Sequence, residues 1–151
     1  LHTNDAPSAV TRLIDIGVKP FLVASSVRGI MAQRLVRKIC EKCREPIKAA
    51  DSELRLLGPL AQQFSESTLY HGRGCADCNH TGFRGRIGIF EIFVINDEVR
   101  HMIYERVSSA QLRQKARQLG MRTLREDGLR KVLNGMTTLA EVFRTTMGDA
   151  N

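Results

Sequence analysis

The chain of 151 residues has 42% hydrophobic and 26% charged residues and a formal charge of +7. That balance fits one ordinary domain, or a small domain with an insertion, and excludes compositional disorder. No apolar run approaches the ~20 residues needed to cross a bilayer, and no basic segment followed by an apolar core marks a secretion signal. The reading is a soluble, intracellular chain without direct membrane insertion.

In chain order, Leu1-His2-Thr3-Asn4-Asp5 has no start methionine and reads as the end of an apolar strand, so the chain is expected to be a fragment. Asp5 is a candidate N-cap and Pro7 suits a first helical turn. Val10, Leu13 and Ile14 then share one face, and Gly17 ends the helix. Pro20 opens a second helix, expected to run to about Gln33 and to be buried through Phe21, Val23, Val27, Ile30 and Met31. Leu35 to Ile39 reads as a strand leading into the first cysteine. The 31 residues between Cys43 and Cys75 contain Pro46, Gly58 and Pro59, with one short helix expected around Leu54, Leu56 and Leu57.

After Cys78 a turn-rich segment, His80 to Gly85, precedes Ile87 to Ile95, which is rich in Ile, Phe and Val and reads as a largely buried strand. Short amphipathic helices follow. Asn96 and Ser108 or Ser109 are start signals, and Gly120 lies just past a helix end. Thr123 with Glu126, and Thr138 with Glu141, have the Thr-x-x-Glu spacing of a capping box, in which both side chains satisfy backbone donors. The last third is thus expected to be a helical subdomain built for packing.

Chemistry concentrates in Cys40-Glu-Lys-Cys43 and Cys75-Ala-Asp-Cys78, which hold all four cysteines of the chain. Two residues between ligands let a tight turn aim both sulfurs at one ion, and four thiolates close a tetrahedral shell with no position left for an activated water. The site is therefore expected to bind structural zinc. Bound as thiolates, the cysteines and the ion would lower the formal charge from +7 to +5. Disulfides are disfavoured in a chain with no sign of export, and a redox role would explain one pair but not two. The 31-residue spacer exceeds the ~15 to 20 of the commonest two-pair pattern. His71 and His80 flank the second pair and could replace a cysteine, but four thiolates suffice. Zinc would then staple the ends of an excursion too small to bury its own core.

Three stretches, taken together, resemble the assembly ATPases of type II secretion and type IV pili, the general secretion pathway protein E-like ATPases. Leu1 to Ala6, continuing to Thr11-Arg12-Leu13, is similar to the family's histidine box and the helix after it. Ala32-Gln33-Arg34-Leu35 running to Cys40 resembles the Ala-Gln-Arg-Leu segment that enters its tetracysteine motif. Gly74-Cys75, Cys78, Thr81-Gly82, Gly85-Arg86, Gly88 and Glu91 match the second half of that motif and the strand beyond it.

The resemblance implies an α/β fold: the C-terminal portion of a RecA-like P-loop ATPase domain in residues 1–39, an inserted tetracysteine zinc subdomain in 40–84, and a return strand with a helical C-terminal subdomain in 85–151. It further implies a cytoplasmic homo-hexamer, peripheral to the inner membrane through secretion-platform proteins, whose nucleotide cycle moves pseudopilin or pilin subunits out of that membrane. His2 is the one catalytic position carried over, near the nucleotide's terminal phosphate. By itself, a histidine near a helix start is more often structural.

The sequence also departs from the family pattern. It contains no Gly-x-x-x-x-Gly-Lys-Ser/Thr, so the phosphate cradle is missing, and no apolar strand ends in an acidic pair for magnesium. ATP and Mg2+ are expected only in a longer parent, and this chain alone is expected to be inactive. Ser25-Ser26-Val27-Arg28-Gly29 resembles the secretion branch more than the pilus branch. The alternative of a zinc-ribbon nucleic-acid-binding module draws on the basic balance. Arg34, Arg37 and Lys38 cluster, as do Arg84 and Arg86, but the last third alternates signs and only Tyr70 and Phe83 offer stacking surfaces near the cysteines. No nucleic acid partner is expected.

Overall fold

The computed structural model describes residues 5–147. They form a mixed α/β chain: α1 (Ala6–Asp15), α2 (Pro20–Ser26), β1 (Gly29–Ile39), β2 (Arg44–Ile47), α3 (Asp51–Leu57), α4 (Ala61–Glu66), β3 (Leu69–Gly72), β4 (Phe83–Val94), α5 (Asp97–Tyr104), α6 (Ser109–Gln118), α7 (Leu124–Leu133) and α8 (Leu139–Thr146). Single 3-10 turns lie at Gly58–Leu60 and Ala76–Cys78. The chain divides into two compact units. One takes the described residues up to Gln33 with Phe90–Leu124, and the other takes Arg34–Ile89 with the described residues from Arg125 onward.

The first unit packs α2 on α5 and α1 on α6. Asp5 starts α1 by accepting the Ser8 amide at 2.7 Å, and Pro7 occupies its first turn. A second acid serves the same helix end: Glu91, buried in β4, accepts the Ala6 amide at 2.7 Å. Both carboxylates face the free N–H groups and positive end of the helix dipole. Asp5 also pairs with Arg113 of α6. Burial opposes its ionisation, but the donors from Ser8 and Arg113 outweigh that and hold its carboxyl below the usual range. Asn96 caps α5 through the Val99 amide, and Ser108 forms a full capping box with Gln111 at α6. The core is apolar throughout, with Val10, Val23, Phe93, Val99, Ile103, Leu112 and Ala116. A large side chain fully buried here stabilises by about 1.5–3 kcal/mol.

The second unit has two parts. Leu57, Phe64 and Leu69, from the stretch between the cysteine pairs, share one core with Leu129, Val132, Leu139, Val142 and Phe143 of α7 and α8. The excursion therefore buries these three side chains against the C-terminal helices, while Ile47, Leu56 and Leu60 stay exposed. Gly128 lets α7 approach α8 closely, because a Cβ there would lie 2.7 Å from Val142 Cγ1. Beside that core, β2 and β3 form an antiparallel ribbon with Arg44 opposite Gly72 and Ile47 opposite Leu69.

Strands β1 and β4 form a two-stranded sheet. The Ile95 amide donates to the Arg28 carbonyl and the Cys40 amide to the Gly82 carbonyl, each at 3.0 Å, so the strands run antiparallel.

Three expectations change. The second helix neither reaches Gln33 nor is buried on most of its surface: it ends at Ser26, Phe21 and Met31 are exposed, Val27 turns extended (φ −79°, ψ 127°), and β1 begins at Gly29. Inward Ile30, Ala32, Arg34 and Val36 alternate with outward Met31, Gln33, Leu35 and Arg37. That period of two competes with an accidental helical spacing and wins once β4 supplies a partner. Second, β4 is not largely buried. Ile92 and Val94 are 56% and 62% exposed while Phe93 and Glu91 point inward. Third, the capping box at α8 is only half made. Thr138 accepts the Glu141 amide, but the Glu141 carboxylate turns to Arg37 of β1. Helix α7 starts at Leu124, one residue after Thr123.

Candidate metal centre

Each cysteine pair sits where a strand ends. Cys40 follows β1 and Cys43 precedes β2, while Cys75 and Cys78 bracket the 3-10 turn before β4. The two pairs are drawn together by backbone bonds. The Arg73 amide donates to the Cys43 carbonyl at 2.9 Å, and the Cys40 amide reaches Gly82. Glycine is required where the chains touch, since a Cβ on Gly72 or on Gly82 would run into the backbone of the other. Asn79 and His80 both take left-handed φ, 50° and 59°, which turns the chain sharply after Cys78. Asn and His are among the non-glycine residues that enter this region most readily.

The four sulfurs converge. Cys40 to Cys75 is 3.9 Å, Cys43 to Cys78 is 3.8 Å, and Cys75 to Cys78 is 3.8 Å. All four lie within 4.8 Å of one another. A regular tetrahedron with such edges places its centre about 2.3 Å from each vertex, the Zn–S bond length. The sulfurs are too far apart for disulfides, whose bond is near ~2.05 Å, and all four cysteines are free. The group can hold a metal ion.

Electrostatics favour a cation in this space. The amides of Cys75 and Gly82 donate to Cys78 Sγ, at 3.2 and 3.3 Å, and pull its pKa down to about 6 despite burial. Burial, with the neighbouring sulfurs, pushes Cys43 up to about 12 although Gly74 donates to its sulfur at 3.3 Å. Four thiols this close cannot all ionise unless a positive charge offsets them, which is how metal binding and thiol deprotonation are coupled.

Charges on the two cysteine loops also face one another. Lys42, inside the first pair, meets Asp77, inside the second, at 2.7 Å, and Arg84 adds a weaker contact to Asp77 at 3.6 Å. Lys42 and Arg84 hold the Asp77 carboxyl below its usual range. Neither flanking histidine joins the sulfur cluster. His71 Nε2 lies 3.1 Å from Glu45 on the β2–β3 ribbon, and His80 contributes its backbone amide to the Cys75 carbonyl. His2 lies outside the described residues.

A second cluster, missed in the sequence, fixes the strand that delivers Cys40. The carboxylate of Glu141, only 3% exposed, accepts the Arg37 amide at 2.9 Å, the Arg37 guanidinium at 2.7 Å and the Arg144 guanidinium at 3.0 Å. Burial opposes the charge, but these donors outweigh it and bring the Glu141 pKa to about 2. Thr137 donates to the Arg37 carbonyl at 2.8 Å, the Ile39 amide donates to Met136 at 2.9 Å, and Arg37 stacks over Phe83 at 4.2 Å. The only sequence signal was an acid within a capping spacing.

Among the described residues no helix is long and apolar enough to cross a membrane. The family model described as "Type II/IV secretion system protein" matches residues 1–144. The chain is 46% identical over 147 residues to the type IV pilus assembly ATPase PilB of Thermus thermophilus, covering 97% of this chain and 16% of the relative. It is 46% identical over 146 residues to the type II secretion system protein E of Pseudomonas aeruginosa, covering 97% of this chain and 28% of the relative. With the type II secretion system ATPase E of Vibrio cholerae it shares 42% identity over 146 residues, covering 97% and 28%. The chain thus spans less than a third of the length of these relatives.

Proposed function

The chain belongs to the type II/IV secretion system protein family, and from that premise we propose that it serves as the C-terminal part of a type II secretion ATPase, with zinc as the structural ion of its four cysteines. The observation that carries the zinc assignment is the sulfur packing, with three edges at 3.8–3.9 Å and all four sulfurs within 4.8 Å of one another. Four thiolates leave no coordination position for substrate or water, so the ion's contribution is to hold the two cysteine loops together. Cys40, Cys43, Cys75 and Cys78 supply the ligands. The amides of Gly74, Cys75 and Gly82 orient two of the sulfurs, and the Glu141 cluster fixes the end of β1.

The assignment to a motor rests on the relatives, whose names are those of assembly ATPases and secretion proteins. In this reading the chain contributes to a RecA-like α/β domain. ATP and Mg2+ are bound by a Gly-x-x-x-x-Gly-Lys-Ser/Thr loop elsewhere in the longer polypeptide, and His2 lies near the terminal phosphate. The assembled protein is a cytoplasmic homo-hexamer held at the inner membrane by secretion-platform proteins.

The pilus branch is the second reading, favoured by identity to a pilus assembly ATPase equal to that with a secretion protein, at 46% each. Deleting the gene separates the branches, since loss of exported enzymes supports secretion and loss of surface pili supports pilus assembly. Metal analysis of the purified chain tests the zinc assignment, for which about one equivalent is expected. Phosphate release from this chain above that of a His2→Ala control would contradict the division of labour.

A further inference from the structure

The four sulfurs are unequal. Cys78 Sγ accepts the amides of Cys75 and Gly82, and Cys43 Sγ accepts that of Gly74. Among the described residues, no backbone amide donates to the sulfurs of Cys40 and Cys75, whose partners within hydrogen-bond range are other sulfurs. Exposure divides them again, for Cys40, Cys43 and Cys78 are buried and Cys75 is only partly so.

Both differences act on reactivity. An amide aimed at a thiolate withdraws lone-pair density from it and is strained or lost when the sulfur forms a new bond. Exposure decides which sulfur an incoming reagent can reach. Cys43 and Cys78 are protected in both respects, and Cys40, at 1% exposure, is protected by burial. Cys75 has neither protection. Cys78 is anchored further because Gly82, its donor, is held against Gly72 by a contact that admits no Cβ.

Resting on the zinc reading, we propose that Cys75 is the labile ligand of the metal centre: soft electrophiles attack there first, and metal release begins there, while Cys43 and Cys78 keep hold of the ion. With a maleimide the step balances simply. The Cys75 sulfur gives an electron pair to the ring C=C and forms a C–S bond. The displaced π pair takes a proton from water, leaving hydroxide to the buffer. The product is an uncharged thioether, which no longer holds a cation as a thiolate does.

The test uses the zinc-loaded chain with substoichiometric N-ethylmaleimide. Tandem mass spectrometry maps the adducts while a chromogenic chelator reads released zinc. The expected result is a Cys75 adduct formed roughly fivefold or more ahead of the other three, with zinc appearing in step. A first adduct on Cys40, Cys43 or Cys78, or equal rates at all four, overturns the proposal. Metal content measured beforehand separates the two readings. Less than about half an equivalent of zinc removes the zinc assignment and this inference with it, whereas full zinc with another order removes the inference alone. As a second readout, Cys78→Ser should lose zinc at a roughly tenfold lower chelator concentration than Cys75→Ser, and the reverse order overturns the proposal. If either variant fails to fold, the adduct order on the unsubstituted chain decides.

Discussion

The two units are stabilised differently. The first is held by one continuous apolar core, with Phe93, Ile103 and Leu112 at 1% exposure, and its polar contacts serve helix ends. The second has a smaller core shared between the inter-cysteine stretch and α7–α8, and supplements it with a four-sulfur centre and a buried carboxylate bound by two arginines. The contrast teaches where each kind of interaction is useful. Helices with wide apolar faces bury one another without assistance. Short loops, a four-residue ribbon and single 3-10 turns have too little apolar surface for that, so directional bonds fix them instead.

The largest test of this difference is metal removal. Structural zinc is worth on the order of 10 kcal/mol in small metal-dependent folds, so stripping it should abolish amide protection in β2, β3 and the cysteine loops while α1, α2, α5 and α6 stay protected. Hydrogen exchange with peptide mapping reads this directly, and uniform loss across both units would break the comparison.

Next in size is Phe93→Ala. Removing a fully buried aromatic from the first core should cost about 3–5 kcal/mol in denaturant unfolding and leave zinc content unchanged. A loss of metal with it would show that the units do not behave separately.

Glu141 sharpens the comparison through pH. Its folded pKa of about 2 lies below the usual 4.5, so its contribution is present above pH ~5 and lost as pH falls toward 2. Allowing for the half-exposed guanidinium of Arg37, the contribution is on the order of 2 kcal/mol. Glu141→Gln should lower stability by that amount at pH 7. The difference from the unsubstituted chain should shrink between pH 5 and pH 2, and a constant difference would show that the carboxylate charge is not what the cluster uses.

The smallest effect sets helix propensity against packing. In the interior of α7, Gly128→Ala would gain about 1 kcal/mol from propensity alone. The added methyl would crowd Val142, and overpacking costs about 1–3 kcal/mol. A net loss of roughly 1 kcal/mol is therefore expected, and a net gain would mean that Val142 yields to the added methyl.

Local chemistry was legible in the residues themselves. Asp5, Asn96 and Ser108 announced helix starts because a cap needs only its own next three residues. The cysteine pairs announced a metal-binding group for the same reason: two residues between ligands make one turn. What decided the rest was contact across large separations in sequence. Glu141 pairs with Arg37 from 104 positions away, and Glu91 serves the start of α1 from 85 away. The stretch after Gly29 became a strand because β4 lay beside it. Which sulfurs receive amides depends on how Gly74 and Gly82 are folded back toward the pairs. The sequence by itself determined which groups were present and their local turns. Their partners, and hence their charge states and exposure, were settled only by tertiary structure, because hydrogen bonds and burial depend on distances that residue order does not encode.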